Sequence, residues 1–264
     1  MFTRRLMLAA CTLAVLAGAA HAAEKLKLTV ATEGAYPPYN FVDANGELQG
    51  FDVDFAKALC EKINAECTII KQDWDGMIPA LMAKKFDLIV ASMGILPERE
   101  EKIDFSIPYY QSPTALVMTK SSGVKVGGDG HVDPESLAGK KIGVQRATGY
   151  ESFAREKWPK ADLVVYDSAE SADLDMTGGR LDGRFDDYIV LKNGIMKSDS
   201  AADYERIGEV WGEKDFGSKG EGIGIRKGEK DLKDAVDKAI LAMRADGTYK
   251  KINDKYFDFD IYGE

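Results

Sequence analysis

Histidine is scarce in this 264-residue sequence, which contains only His21 and His131. Zinc sites and Ser-His-Asp triads usually depend on histidine placed beside other ligands or a nucleophile. His131 lies in a loop rich in Gly and Asp and has no such companions nearby in sequence. We therefore expect no histidine-based metal centre, no triad hydrolase and no bound cofactor.

Basic charge is also in deficit. Lys and Arg total 35 against 44 Asp and Glu, which gives a formal net charge of −9. Nucleic-acid binding favours clustered Lys and Arg, so we expect no nucleic-acid partner. Hydrophobic residues make up 45% and charged residues 30% of the chain, as in soluble globular proteins.

Apolar runs of membrane-spanning length are missing. The longest, Leu6–Ala20, falls short of the about 20 residues that a transmembrane helix needs. Arg4 and Arg5 precede it, and Ala20-His21-Ala22 follows as a small-x-small cleavage pattern. Residues 1–22 are therefore predicted to be a cleaved signal peptide, which places the mature protein in the periplasm.

Cysteine is rare as well, with three in the whole chain. Cys11 follows a short segment similar to a lipoprotein box, but most of the apolar run comes after it, so we expect no lipidation. The mature chain keeps Cys60 and Cys67, an even pair in an exported protein, which favours a disulfide. Two buried free thiols are the alternative.

Strand and helix patterns alternate along the mature chain, which predicts an α/β protein with mostly parallel sheets. The predicted strands are Leu26–Thr32, Cys67–Lys71, Asp87–Ser92, Thr114–Thr119, Lys141–Gln145, Leu163–Tyr166, Asp182–Asp187 and Gly222–Lys227. The predicted helices are Phe51–Ala65, Trp74–Lys85, Pro97–Lys102, Thr148–Trp158, Ala169–Thr177, Tyr188–Met196 and Lys230–Ala245. Ligands in open α/β sheets bind beyond the carboxyl ends of strands, where this sequence places polar groups.

Several short sequence segments, spread along almost the whole mature chain, resemble those of one family in their order and spacing. They are Ala31–Phe41, Gly50–Asp54, Asp73–Pro79, Asp87–Arg99, Ile103–Tyr109, Gly179–Asp187 and Asp246–Gly263. The chain resembles the periplasmic polar-amino-acid-binding proteins of ABC importers, most of all the lysine/arginine/ornithine-binding type. Opine-binding members are also similar. The disulfide spacing of that type matches Cys60 and Cys67.

The resemblance implies a two-lobed periplasmic binding protein fold of type II, with a cleft between lobes that two crossover strands join. Lobe one would comprise residues 23–110 and 213–264, and lobe two residues 114–212. The implied function is capture of a basic L-amino acid by hinge closure and delivery to a membrane permease. We expect a monomer that is not an enzyme.

The resemblance also implies roles for individual residues. Arg99 would hold the ligand α-carboxylate, because a guanidinium grips a carboxylate with two parallel hydrogen bonds. Asp187 would bind the α-ammonium, although an aspartate there could equally cap a helix. Glu33 would meet a distal ammonium or guanidinium, since a buried acid needs a cationic partner.

The other expected ligand contacts are two aromatic walls and a set of small or polar residues at strand and helix ends: Tyr36, Trp74, Ser92, Gly94, Gln145, Thr148 and Gly149. Arg146 and Tyr150 are weaker candidates, and Arg184 is an unexpected charge within a predicted strand.

Three alternatives stay open at this point. The ligand could be an opine such as octopine or nopaline, or it could be histidine. A dehydratase acting on a cyclic carboxylic acid is the third, because some relatives of the fold are such enzymes; it would need a positioned general acid, for which Glu33 could serve.

Overall fold

A computed structural model describes residues 25–263. The predicted signal peptide and Cys11 lie outside this range. Within it, no helix is both long enough and apolar enough to cross a bilayer.

Strands and helices alternate along these residues. In chain order the strands are β1 (Leu26–Thr32), β2 (Ala35–Tyr36), β3 (Asn40–Val42), β4 (Leu48–Gln49), β5 (Ala65–Lys71), β6 (Leu88–Ile89), β7 (Asp104–Phe105), β8 (Thr114–Thr119), β9 (Lys141–Gln145), β10 (Asp162–Tyr166), β11 (Gly183–Asp187), β12 (Tyr204–Arg206) and β13 (Gly224–Ile225). The α-helices are α1 (Phe51–Lys62), α2 (Met77–Met82), α3 (Pro97–Glu100), α4 (Gly149–Lys157), α5 (Ala169–Thr177), α6 (Tyr188–Asn193), α7 (Lys230–Ala245) and α8 (Thr248–Tyr256).

Two five-stranded sheets organise the molecule. The first has the order β5-β1-β6-β13-β7 and the second β10-β9-β11-β8-β12, while β2, β3 and β4 form a small antiparallel sheet. The chain is thus an α/β protein with two lobes, as predicted. The first sheet takes β13 from the end of the chain, so the polypeptide leaves the first lobe and returns to it.

The prediction of mostly parallel sheets is wrong for two of the four strand pairings in each sheet, which are antiparallel. β13 runs antiparallel to both of its neighbours, and so does β8 in the second sheet. Each of these strands is the first that the chain adds after crossing from the other lobe. It therefore starts at the edge where the parallel strands end, and it must run in the opposite direction.

Apolar clusters stabilise the two sheets, and the cluster of the first sheet also includes Ala169, Ile189 and Val190 of the second lobe. Phe51 and Phe55 of α1 pack against strand residues such as Val30 in the first, and Trp158 and Trp211 pack around Phe185 in the second. Burying a large apolar side chain contributes about 1.5–3 kcal/mol, so each lobe holds its own part of the site rigidly.

The predicted disulfide is confirmed: Cys60 in α1 is bonded to Cys67 in β5. It fastens a helix to the strand that follows it. The helix itself ends at Lys62, three residues before the predicted end, because Asn64 adopts a left-handed backbone conformation with φ 54°. Asparagine tolerates this conformation better than most residues.

Candidate functional site

A cavity lies between the two sheets and has an empty volume of about 560 Å³ including its mouth. Both lobes supply its walls, mainly from the segments that follow the carboxyl ends of β1, β6 and β9. Its lining comprises Glu33, Tyr36, Trp74, Ala91, Ser92, Gly94, Leu96, Arg99, Ser112, Thr114, Gln145, Thr148, Gly149, Tyr150, Glu213, Phe216, Ser218 and Glu221.

Nine of the ten ligand contacts expected from the sequence line this one cavity; the exception is Asp187. These nine come from positions spread between residues 33 and 149, and the fold brings them together. Their roles toward a ligand remain predictions.

Arg99 is buried at the cavity wall although it lies on the short helix α3, with 7% of its surface exposed. Its guanidinium donates hydrogen bonds to the carbonyl oxygens of Gly94 (2.9 Å) and, across the cleft, Ala147 (3.0 Å). It also stacks 5.2 Å from the centre of the Trp74 ring. Burial lowers the pKa of Arg99 to about 10. No carboxylate within residues 25–263 forms an ion pair with this cation.

Glu33 is a buried acid in the same cavity, with 4% of its surface exposed. The side-chain amide of Gln145, from the other lobe, donates to its Oε1 at 2.6 Å. Burial raises the pKa of Glu33 to about 8. Among the residues that the structure describes, no Lys, Arg or His forms an ion pair with Glu33. Arg99 and Glu33 are thus a buried cation and a buried acid in one cavity, and neither has an ion-pair partner among the described residues.

Thr148 and Gly149 open helix α4 against the cavity. The Thr148 hydroxyl accepts a hydrogen bond from the backbone N–H of Glu151 at 3.2 Å and donates to the Gln145 carbonyl at 2.7 Å. The predicted capping role of Thr148 is therefore present. Helix N-termini carry a partial positive charge, which adds to the field of Arg99 on this side of the cavity.

Asp187 lies outside the cavity lining and acts as the N-cap of α6. Its Oδ1 accepts from the backbone N–H groups of Ile189 (2.7 Å) and Val190 (3.1 Å), and its Oδ2 accepts from the Tyr39 hydroxyl at 3.3 Å. Burial raises its pKa to about 7. The capping alternative considered from the sequence is thus what the structure shows, while an ammonium contact stays a prediction.

Ser92 reaches the cavity from a strained position that buried hydrogen bonds hold. Its backbone is left-handed, with φ 53°, which costs a non-glycine residue about 1–3 kcal/mol. Its hydroxyl donates to Asp52 at 2.9 Å, and Asp52 also accepts from Tyr109 (2.7 Å) and Asn40 (2.7 Å). Asp52 is fully buried and touches the cavity only through Ser92.

Arg184, unexpected in a strand, is fully buried and forms ion pairs with the buried Asp186 and the partly exposed Asp173. It lies 2.8 Å from Asp173 and 2.8 Å from Asp186. Asp186 in turn accepts a 2.6 Å hydrogen bond from the hydroxyl of Tyr36 in the opposite lobe. The buried charge of Arg184 therefore keeps Asp186 available to hold a cavity wall across the cleft.

Sequence reasoning missed a group of cavity residues near the crossover between the lobes: Ser112, Thr114, Glu213, Phe216, Ser218 and Glu221. Glu221 precedes a glycine-rich segment that the sequence indicates only as a strand. An acid between two glycines, at the start of a buried strand, is the signal that could have found it. Residues 25–263 contain no cluster of His, Cys, Asp or Glu arranged to hold a metal.

The family model for bacterial extracellular solute-binding proteins, family 3, matches residues 28–259. The chain belongs to this family. It is 40% identical over 250 residues to the histidine-binding periplasmic protein of Salmonella typhimurium, covering 94% of each chain. It is 38% identical over 260 residues to the L-arginine-binding protein of Pseudomonas aeruginosa, covering 97% of each.

Among solved structures, a periplasmic binding protein of Salmonella typhimurium with high arginine specificity superposes with a TM-score of 0.78. The two chains are 32% identical, and the match covers 88% of this chain and 99% of that one. Membership of family 3 confirms the resemblance found in the sequence and the two-lobed fold that it implied. The cavity described above is thus the interlobe cleft of a solute-binding protein.

Proposed function

We propose that this protein captures a basic L-amino acid, arginine, lysine or ornithine, in the periplasm and delivers it to the permease of an ABC importer. The observation that carries the proposal is the pair of buried ionisable groups, Arg99 and Glu33, in one cavity, neither with an ion-pair partner among the described residues. A ligand carboxylate would stabilise the buried charge of Arg99, and a ligand cation would stabilise the ionised form of Glu33, so one basic amino acid would suit both groups. Relatives named for arginine and histidine support the ligand class.

Each end of such a ligand has a partner in the cavity. The α-carboxylate would bind the fork of Arg99, and the cationic end of the side chain would bind Glu33 beside Gln145. The rings of Tyr36 and Trp74 would flank the aliphatic stem, and Ser92, Gly94, Thr148 and Gly149 would complete the polar wall. Asp187, whose Oδ2 accepts from the Tyr39 hydroxyl, would bind the α-ammonium.

Closure of the lobes traps the ligand. Hydrogen bonds already join the lobes across the cleft, among them those from Arg99 to Ala147, from Gln145 to Glu33, from Tyr36 to Asp186 and from Tyr39 to Asp187. A ligand stabilises this closed arrangement only through contacts that it lacks in the open one. An amino acid that touches Arg99 and Glu33 in one lobe and Gln145 or Thr148 in the other meets that requirement.

The remaining sequence predictions belong to the same proposal. We place lobe one at residues 23–110 and 213–264 and lobe two at residues 114–212. Residues 1–22 would direct export, and the mature protein would act as a monomer without enzymatic activity or nucleic-acid binding.

Histidine is a second candidate ligand, because the Salmonella relative that is 40% identical is named for it. Its side chain is cationic only below its pKa of about 6.5. At neutral pH it would therefore form an ion pair with Glu33 less readily than arginine would. Opines are larger and lack a primary α-ammonium.

A thermal-shift screen of the ligand-stripped mature protein tests the proposal. The panel contains the twenty amino acids with ornithine, citrulline, octopine and nopaline, because a ligand that binds only the folded state raises Tm. We expect the largest shifts with arginine, lysine or ornithine. Tm shifts confined to histidine or to the opines would change the proposed ligand from a basic amino acid to that compound. No shift at all would overturn the proposal.

A further inference from the structure

Asp52 is a fully buried acid in the first turn of α1, behind the wall of the cavity that it does not itself line. Its carboxylate accepts hydrogen bonds from three neutral side chains, those of Asn40, Ser92 and Tyr109. Burial raises the pKa of Asp52, and these three hydrogen bonds lower it. Within residues 25–263, no Lys, Arg or His forms an ion pair with it. A carboxylate buried in this way costs folding free energy, so stability alone does not account for its presence.

One branch of the Asp52 network holds Ser92, which lines the cavity. The Ser92 hydroxyl donates to Oδ2 of Asp52 at 2.9 Å, and the Ser92 backbone N–H donates to the Tyr109 hydroxyl at 3.0 Å. The Tyr109 hydroxyl in turn donates to Oδ1 of Asp52 at 2.7 Å. Both bonds from Ser92 therefore lead to the same carboxylate. They hold the backbone and the side chain of a residue whose φ of 53° is unfavourable for any residue with a side chain.

A second branch leads from Asp52 to the backbone beside Glu33. The side-chain N–H group of Asn40 donates to Oδ2 of Asp52 at 2.7 Å, and its Oδ1 accepts from the backbone N–H of Gly34 at 2.7 Å. Only the oxygen of an amide can accept from an N–H group, so these two contacts fix the orientation of the Asn40 side chain. The nitrogen of Gly34 belongs to the peptide unit that joins it to Glu33. Holding this unit restricts the backbone from which the Glu33 side chain extends into the cavity.

The two branches meet the cavity at the ends of neighbouring strands. Glu33 and Gly34 follow β1, Ser92 follows β6 after two intervening residues, and β1 pairs with β6 in the first sheet. A carboxylate can bind several donors at once because each of its oxygens accepts more than one hydrogen bond, whereas an amide of the same shape offers one oxygen only. An acid at position 52 can thus hold both strand ends in one arrangement.

We propose that Asp52 is a positioning residue for ligand recognition, which holds Ser92 directly and Glu33 through Asn40 and Gly34. The inference rests on the proposed function, because it concerns how Glu33 is kept in place for a cationic ligand group. Asp52 acts through these neighbours and does not contact the ligand. The energetic cost of burying its charge is offset by a cavity wall that is already ordered before the ligand binds.

The test exchanges two side chains that face each other in the network. Asp52→Asn turns one carboxylate oxygen into an NH2 group, so at least one of the three donors loses its acceptor. Adding Asn40→Asp moves the carboxylate to position 40, where it can accept from Gly34 and from the amide introduced at position 52. The matched control is Asp54→Asn, the same substitution at a partly buried aspartate of α1, whose Oδ2 accepts from Tyr256 at 2.7 Å away from the cavity.

Titration calorimetry gives Kd for arginine and for citrulline, and denaturant unfolding shows that each variant is folded. We expect Asp52→Asn to weaken arginine binding at least tenfold and to reduce the preference for arginine over citrulline, because Glu33 is no longer held. The double variant with Asn40→Asp should recover the arginine affinity to within about threefold of wild type. Asp54→Asn should stay within twofold. A loss of stability alone would produce neither the change in preference nor the recovery.

An arginine Kd within twofold of wild type in folded Asp52→Asn would overturn this inference and leave the proposed function standing. A double variant that binds no better than Asp52→Asn would overturn it as well, and equal losses for arginine and citrulline would overturn its Glu33 branch. If Asp52→Asn does not fold, Tyr109→Phe takes its place, because it removes one donor and keeps the ring. Arginine binding should then weaken at least threefold, and an unchanged Kd would overturn the inference. A wild type that binds no basic amino acid overturns both proposals.

Discussion

At the scale of single residues, Arg99 holds the largest share of the proposed recognition. Its guanidinium already donates hydrogen bonds to the carbonyl oxygens of Gly94 and Ala147, and these bonds fix the orientation of its plane. Further N–H groups remain to meet a carboxylate, because an arginine has five. The side chain is thus oriented before the ligand arrives.

Replacing Arg99 with alanine should weaken binding of the cognate amino acid at least tenfold, a loss of about 1.4 kcal/mol or more. Arg99→Lys keeps the charge but not the planar fork and should lose part of that affinity. Calorimetric titration measures both. An unchanged Kd in folded Arg99→Ala would remove Arg99 from the site.

Glu33 predicts a pH dependence of selectivity. With its pKa raised from 4.5 to about 8 by burial, the carboxyl is protonated in the closed cleft at neutral pH unless a cation ionises it. Arginine binds the ionised form and neutral citrulline binds the protonated form. The affinity ratio of arginine to citrulline should therefore rise by about tenfold per pH unit: below pH 8 mainly because arginine gains its binding form, and above pH 8 mainly because citrulline loses its own.

The two ligands share their α-groups, so titration of other residues cancels in this ratio. Calorimetry from pH 5.5 to pH 8.5 measures it. A ratio independent of pH would mean that Glu33 is already ionised in the cleft or does not face the side chain of the ligand.

Most site residues could be predicted because they sit in phrases with a fixed order along the chain. Glu221 could not, because its meaning depends on Gly94, which lies far away in sequence and pairs with it only in the folded sheet. Asp187 shows another limit: the sequence allows a cap and a ligand contact at this strand end, and the structure shows the cap, which is compatible with the predicted ligand contact.

At the scale of elements, long periodic segments were predicted well and very short ones were not. The apolar residues at helical spacing in α7 predicted its bounds, Lys230–Ala245, correctly. Strands β2 and β7 have two residues each, too few to show any alternation, while β13 was predicted within a longer strand, Gly222–Lys227. The antiparallel direction of β8 and β13 follows from crossings between lobes, which no local pattern records.

The disulfide belongs to this scale, since it joins α1 to β5 away from the cavity. Cys60 and Cys67 are separated by 7 residues. A loop this short restricts the unfolded chain modestly, so removing it should lower the free energy of unfolding by about 2.5 kcal/mol.

Denaturant unfolding of the double variant Cys60→Ser with Cys67→Ser measures that loss. Ligand affinity should stay within about twofold of wild type, because neither cysteine lines the cleft. A large loss of affinity in a folded double variant would show that the α1–β5 unit shapes the site.

At the scale of the whole molecule, function depends on two lobes that close around a ligand. The hydrogen bond from Tyr36 to Asp186 joins the lobes directly, and Arg184 holds its acceptor from behind. A bond that forms only on closure contributes to affinity without touching the ligand. Its acceptor is charged, so it contributes about 1.5–3 kcal/mol at most.

Tyr36→Phe keeps the aromatic wall and loses this bond, so it should weaken ligand binding about tenfold. Tyr166→Phe is the control, because the Tyr166 hydroxyl donates to Asp175 within one lobe and does not change on closure. Calorimetry gives both Kd values, and small-angle scattering shows whether saturated Tyr36→Phe still compacts. Equal effects of the two substitutions would contradict a closure role for Tyr36.

The central claim is that the cleft selects an amino acid with a cationic side chain, through Glu33. The most direct measurement is calorimetric titration of the ligand-stripped protein with arginine and with citrulline at pH 8, repeated on Glu33→Gln. The account predicts that wild type binds arginine at least tenfold more tightly than citrulline, and that Glu33→Gln removes most of this preference. Equal affinities in the wild type, or a preference unchanged in Glu33→Gln, would contradict it.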